Sequence, residues 1–120
     1  MDVIALTADT AEEFVSAQPV TAILYHSPNA RHSRELIDEF KSVASSFAEH
    51  IAFGSVDLST PENAILLEKA VVVIAPTLIY YRFGQPSGED VGHDAIMKWL
   101  DLESIVHNYG HTDSWLKLLR

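Results

Sequence analysis

The pattern of apolar and polar residues alternates along the chain between short apolar runs and stretches with helical spacing. Short apolar runs bounded by proline, glycine or serine predict strands, because a strand of ordinary length needs only a few residues. Runs of this kind are residues 3–6, 20–25, 51–56 and 77–81, and a short edge strand is expected at residues 89–92. Turn-forming residues between the last two predict a hairpin turn over residues 83–88.

Helical spacing is clearest over residues 31–50, where apolar residues recur every three or four positions and predict one buried face. Other helices are predicted from their ends. Thr10 begins a capping-box pattern, Pro61 suits a first helical position, and Gly110 suits the residue that follows a final helix over residues 94–109. The predicted buried residues are Leu36, Phe40, Val43, Ala44 and Phe47 in the long helix and Ile96, Trp99 and Leu100 in the final one.

The predicted elements follow the order β-α-β-α-β-α-β-β-α. Alternating strands and helices predict an α/β fold with a parallel core, and the late hairpin adds antiparallel strands to give a mixed sheet flanked by helices. We expect one domain over residues 1–110 and a short C-terminal extension, residues 111–120. The apolar extension is expected to dock on the domain, with an exposed patch for a partner as the alternative; its apolar residues are Trp115, Leu116, Leu118 and Leu119.

The composition is that of an ordinary globular domain. The chain has 120 residues, of which 48% are hydrophobic and 21% charged. No apolar run approaches the roughly 20 residues that cross a bilayer. The first residues include Asp2 and no basic residue, so they do not resemble a signal peptide. A removed leader and excision from a larger protein remain alternatives.

The net charge of −9 disfavours nucleic acid and anionic membranes as partners. Binding to nucleic acid or to an anionic membrane requires clustered lysine and arginine, and this chain has only eight such residues, scattered along it. We therefore expect protein partners, no nucleic acid and no membrane. Most of the acidic residues are expected to form a solvated face. The less favoured interpretation is that they attract a basic partner.

The chain contains no cysteine. This excludes disulfides, thiolate nucleophiles and metal sites with cysteine ligands. Small extracellular domains often use disulfides, so the lack of cysteine favours a reducing compartment and we expect a cytoplasmic protein.

Several motifs resemble the thioredoxin and protein disulfide isomerase family. Residues 25–34 align without gaps with the family pattern Phe-Tyr-Ala-Pro-Trp-Cys-Gly-His-Cys-Lys, and Pro28 and His32 fit the isomerase version. Further matches are Val56-Asp57 at a strand end, Ala75-Pro76-Thr77 at the family's cis-proline turn, Gly84, Gly92 and the start of the final helix at residues 96–100. The resemblance covers residues 3–109 and implies a thioredoxin fold with a cis bond at Pro76.

The departures from the family pattern imply that its redox chemistry is lost. Ala30 occupies the position of the nucleophilic cysteine, and Ser33 that of the resolving cysteine. Leu24 occupies the position of the family's buried acid, and Asn29 that of the aromatic residue before the first cysteine. A serine hydroxyl is too weakly acidic to replace a thiolate without an activating base. We therefore expect a protein that is not an enzyme and has no cofactor.

In the family, the active-site loop and the cis-proline turn form a binding groove. The resemblance implies that this groove remains in the chain although the redox chemistry is lost. The leading hypothesis is a redox-inactive adaptor that binds a protein partner there, as an extended segment paired through its backbone. The alternatives are a holdase chaperone for unfolded segments, a relative of spliceosomal thioredoxin-like proteins, and a loop with no ligand. The predicted contact residues are Asn29, Ala30, Arg31, His32, Ser33, Ala75 and Pro76.

Two sharper hypotheses about the histidines are disfavoured. His26 and His32 flank the loop, and His107 and His111 are close in sequence, but nothing completes a metal-ligand set, so solvated surface histidines are the preferred interpretation. A hydrolase based on His32 and Ser33 is disfavoured because adjacent residues at a helix start cannot easily form a base–nucleophile hydrogen bond.

Overall fold

The computed structural model describes residues 3–47, 51–69 and 71–108, with side chains described as far as residue 101. The strands are β1 (Ile4–Leu6), β2 (Val20–His26), β3 (Ala52–Asp57), β4 (Thr77–Arg82) and β5 (Gln85–Val91). The helices are α1 (Ala8–Ala17), α2 (Ser33–Phe47), α3 (Ala64–Glu68), which follows a 3₁₀ turn at Pro61–Asn63, and α4 (His93–Asn108). The predicted order of elements is confirmed.

The strands form one mixed sheet in the order β1-β3-β2-β4-β5. β1, β3 and β2 are parallel, whereas β4 is antiparallel to both β2 and β5. The parallel core and the antiparallel hairpin predicted from the sequence are therefore both present. No helix in the described residues is long and apolar enough to cross a membrane.

The sheet separates two buried clusters. Along β2, Ala22 and Leu24 belong to the cluster under α2 and α4, whereas Ile23 and Tyr25 belong to the cluster under α1. This alternation follows from the two-residue repeat of a strand that is covered on both faces. The buried stripe predicted for α2 is confirmed, and its residues are Leu36, Phe40, Val43, Ala44 and Phe47. In α4, Ile96 and Leu100 are buried as predicted, whereas Trp99 is only half-buried.

Helix α1 begins earlier than predicted. Thr7, not Thr10, is its N-cap residue, and Thr10 is the third residue of the helix. The Thr10 side chain accepts a hydrogen bond of 2.7 Å from the Thr7 backbone N–H, and the Thr7 side chain accepts one of 3.4 Å from the Thr10 N–H. This capping box has threonine at its third helical position, where the usual pattern has glutamate or glutamine. The usual pattern therefore does not identify Thr7, and the N-cap predicted at Thr10 is wrong.

The predicted hairpin turn at residues 83–88 is too long. Only Phe83 and Gly84 lie between the paired ends of β4 and β5, with φ of 50° and 80°. Two central residues with positive φ are typical of the type I′ turn, whose twist suits a hairpin. Pro86 lies within β5, where it is tolerated because β5 is an edge strand and the pairing shifts register at Tyr80/Tyr81.

The apolar segment 71–74 before the proline turn is not a strand. Val72 is buried, whereas Val71, Val73 and Ile74 are exposed. The segment leads into a cis peptide bond between Ala75 and Pro76, as the resemblance implied. Gly110, the predicted boundary after it and the predicted docking of residues 111–120 lie outside the described residues.

Candidate functional site

The candidate site lies where β2 ends and β4 begins. β2 and β4 are antiparallel neighbours, and Tyr25 is paired with Thr77. The loop that follows β2 and the cis-proline turn that precedes β4 therefore lie side by side. Four predicted contact residues line one small cavity there together with His26 and His93: they are Ala30, Arg31, Ser33 and Pro76.

The loop is held by two consecutive turns. The Ala30 N–H donates to the Ser27 carbonyl over 3.0 Å, and the Ser33 N–H donates to the Ala30 carbonyl over 3.2 Å. His32 occupies the third position of the second turn with a φ of 64°. Helix α2 begins only at Ser33, so the predicted start near Arg31 is wrong and Ala30 lies before the helix. The left-handed backbone at His32 interrupts the helix at this point.

The predicted contact residues differ in what they offer to a partner. Asn29, Arg31 and His32 are exposed, whereas Ser33 is buried. The His32 ring lies against His93, with ring centroids 5.4 Å apart, and its Nδ1 lies 3.7 Å from a Glu35 carboxylate oxygen. These three exposed side chains lie on the loop side of the groove that the resemblance implies, and Arg31 also lines the small cavity.

The side of the cis-proline turn has exposed residues that the prediction did not include. Ala75 is half-buried and packs against the cluster under α1, so its side chain contributes little to the surface. Val73 and Ile74, which no sequence motif singles out, are 83% and 53% exposed. Their β-branched, apolar character is typical of a buried strand, so only the structure shows that they face solvent.

Some backbone groups around the proline turn are hydrogen-bonded and others are not. The Ile74 carbonyl accepts a hydrogen bond of 2.7 Å from the Thr77 hydroxyl, and the Pro76 carbonyl accepts one of 2.8 Å from the Gly92 N–H. The N–H and carbonyl of Ala75 have no hydrogen-bond partner among the residues that the structure describes. An extended segment laid along this turn would find a free donor and a free acceptor.

Three residues around the small cavity carry buried polar atoms. The His26 Nδ1, Ser33 Oγ and His93 Nε2 atoms have no hydrogen-bond partner in the described part of the chain. All three residues line the cavity, whose volume of about 10 Å³ suits about one water molecule. His93 was missed because it begins α4 without any local motif. The interpretation of His26 as a surface histidine is wrong, since it is only 8% exposed.

Burial of His26 has a consequence for stability. Desolvation lowers the pKa of His26 below 6.5, and the nearby Asp57 carboxylate opposes this with a smaller effect. The unfolded chain therefore binds a proton more readily than the folded chain, and the free energy of unfolding should fall as pH decreases below about 6.5. The variant His26→Phe is expected to flatten this dependence, measured by denaturant unfolding between about pH 7.5 and pH 5.5.

The matched control is His32→Asn. Residue 32 is exposed, and asparagine tolerates the left-handed backbone found there. This variant should keep the pH dependence of the unmodified chain. An unchanged dependence in His26→Phe would contradict the assignment to His26.

The site offers little for covalent chemistry. Leu24 is fully buried at the position of the family's acid, and Ala30 has no reactive atom. The Ser33 hydroxyl has no hydrogen-bond partner in the described region, so neither His26 nor His93 is hydrogen-bonded to it as an activating base. Over the same residues, no group of three or more His, Asp or Glu side chains could hold a metal ion.

Comparison with known proteins gives one curated relative. No protein-family model matches the chain. Over 85 residues it is 27% identical to the mouse protein named protein disulfide-isomerase A5, a match that covers 69% of this chain and 16% of the relative. The chain therefore spans about a sixth of that relative's length.

Solved structures give stronger matches in shape than in sequence. Thioredoxin f2 of Chlamydomonas reinhardtii matches with a TM-score of 0.72 and 16% identity, over 91% of this chain and 97% of that one. The short form of spinach chloroplast thioredoxin f matches with a TM-score of 0.70 and 15% identity, over 86% and 94%. The zinc-bound form of human ERp44 matches with a TM-score of 0.67 and 17% identity, over 88% of this chain and 31% of that one.

Proposed function

We propose that this chain, which is a thioredoxin-fold domain without cysteine, is a redox-inactive interaction module that binds an extended segment of a protein partner in the groove beside Pro76. The structural matches confirm the predicted fold class, and the composition confirms that the catalytic cysteines are absent. Thiol–disulfide exchange is therefore not available to the chain itself.

The observation that carries the proposal is the exposed apolar surface next to a backbone with unused hydrogen-bonding capacity. Val73 and Ile74 are 83% and 53% exposed immediately before the cis-proline turn. Such side chains gain free energy when a partner covers them. The free N–H and carbonyl of Ala75 supply the backbone pairing that would fix the direction of the bound segment.

The loop side of the groove supplies polar contacts. Arg31 is exposed and no ion pair involving it is found in the described residues, although the chain as a whole is acidic. An arginine with a free guanidinium can donate two parallel hydrogen bonds to a carboxylate. We therefore expect the bound segment to combine apolar side chains, which would contact Val73 and Ile74, with an acidic residue that would contact Arg31.

The test is affinity capture from the source cell with the whole chain. The proposal predicts one or a few proteins retained in near-stoichiometric amounts, and a purified partner whose affinity falls by about tenfold or more in Ile74→Asp and in Arg31→Glu. The matched control is Leu67→Asp, because Leu67 is 44% exposed in α3 and does not line the groove cavity.

Loss of binding in the control as well would indicate a surface outside the groove and would contradict the proposal.

A holdase is the second candidate, favoured by the exposed apolar pair Val73 and Ile74. It predicts many weakly retained proteins and, at stoichiometric amounts of this chain, suppressed aggregation of a heat-sensitive client. Retention of splicing components would instead support the spliceosomal alternative.

A further inference from the structure

A second and larger cavity opens on the face of the sheet that carries α1. Its volume is about 340 Å³, and it shares no lining residue with the cavity beneath the groove. This volume is at the lower end of the range of about 300–1,000 Å³ for small-molecule sites. Most of the wall is apolar and comes from α1, the α3 region and the hairpin turn side of the sheet: Ala11, Val15, Ile65, Leu66, Val71 and Pro86.

Two buried tyrosines line the same cavity. The hydroxyls of Tyr25 on β2 and Tyr81 on β4 lie 2.6 Å apart and share a hydrogen bond. In the register of the two strands the pair Ile23 and Ile79 lies midway between them, so the phenol rings reach toward each other from either side of that pair. Both tyrosines are less than 10% exposed, at 2% and 7%.

Counting protons shows that this tyrosine pair is not satisfied by itself. Burial raises the pKa of both hydroxyls, so each keeps its proton near neutral pH. Their mutual hydrogen bond uses one of the two protons. Neither hydroxyl has another hydrogen-bond partner in the described residues, so one phenolic proton remains for an acceptor. The remaining proton faces a cavity that opens to solvent, so a bound molecule with an acceptor would replace a hydrogen bond to water with one to the ligand.

Charges near the cavity indicate the class of molecule. The charged lining residues are Asp9 and Glu12 on α1 and Lys69 after α3, all of them exposed. The carboxylate of Glu89 also acts on Tyr81, contributing to its raised pKa. Acidic groups outnumber basic ones, so an anion is disfavoured. The tyrosine pair has one phenolic proton left over, so it selects for an acceptor in the ligand. A neutral acceptor fits both conditions.

We propose that this cavity binds a small, neutral, mainly apolar molecule whose carbonyl oxygen accepts a hydrogen bond from the Tyr25–Tyr81 pair. The apolar wall would cover the body of the molecule, and the tyrosine pair would orient its polar end. The site is separate from the groove beside Pro76, so the two proposals can fail independently.

The test uses two probes of nearly the same shape, acetophenone and α-methylstyrene, in which a methylene group replaces the carbonyl oxygen. Each is titrated into the ¹⁵N-labelled chain and followed by amide chemical shifts. Both should shift the amides of Ala11, Val15 and Leu66, which line the cavity. The affinity of acetophenone relative to α-methylstyrene should be about three- to tenfold higher in the unmodified chain than in a variant that lacks both hydroxyls, as expected for one neutral hydrogen bond.

The control variant is the double substitution Tyr25→Phe/Tyr81→Phe. It keeps the shape of the cavity and removes both hydroxyls together, so its unfolding midpoint should stay close to that of the unmodified chain. In this variant the ratio of the two affinities should shift toward α-methylstyrene by that factor, because the carbonyl is then buried without a donor. No binding of either probe, shifts confined to other residues, or an affinity ratio unchanged in the double variant would each overturn the proposal.

Discussion

Phe40→Ala is expected to lower the free energy of unfolding by about 3–5 kcal/mol. Phe40 is 1% exposed in α2, and its ring makes an edge contact with Phe53, with centroids 5.6 Å apart. Removing the ring leaves a cavity in the cluster that joins α2 and α4 to the sheet. Domains of this size are stable by only about 5–15 kcal/mol, so the loss would consume much of the total. Denaturant unfolding measures it directly.

The matched control is Phe83→Ala in the hairpin turn. Phe83 is 71% exposed, and the Arg82 guanidinium carbon lies 5.8 Å from the centroid of its ring. Its removal should change the free energy of unfolding by no more than about 0.5 kcal/mol, because it creates no cavity. Similar losses for the two variants would mean that the packing assigned to Phe40 is wrong.

The difference between these two phenylalanines also shows what the sequence can and cannot predict about the fold. Phe40 lies in a helical repeat of apolar residues, and such a repeat predicts burial because one helix face must be covered. Phe83 lies at a hairpin turn, where composition indicates a turn but not its length. The number of turn residues depends on the pairing of β4 with β5, and that pairing includes a register shift at Tyr80/Tyr81. Long-range pairing of this kind leaves no local pattern.

The residues of the candidate site also include some that the sequence predicts and some that it does not. Ala30, Ser33 and Pro76 could be predicted from sequence because the motif around them is continuous or has a strong local constraint. His93 could not, since it reaches the site only because α4 follows β5 at the edge of the sheet. Val73 and Ile74 were missed for a different reason: their residue types predict burial, whereas the cis-proline turn leaves them exposed.

The double variant Ala30→Cys/Ser33→Cys is expected to form an intramolecular disulfide, which the natural chain cannot form. The Ser33 N–H donates to the Ala30 carbonyl over 3.2 Å, so the two residues are the ends of a four-residue turn. The Cα atoms at the ends of such a turn lie within about 7 Å of each other. Disulfides join Cα atoms about 4.4–6.8 Å apart, so the bond should form with little movement. Intact mass after oxidation should show the loss of two hydrogen atoms.

Position 30 supplies the accessible thiol in this variant. Ala30 is half-buried and lies just before α2, where the partial positive charge at the helix start favours a thiolate, whereas Ser33 is only 6% exposed. The variant, but not the unmodified chain, should accelerate the reduction of insulin disulfides by dithiothreitol. Ala30→Cys alone is the control and should give a mixed disulfide with glutathione. Two free thiols in the double variant after oxidation would show that the loop geometry itself, and not only the two side chains, has departed from that of a redox site.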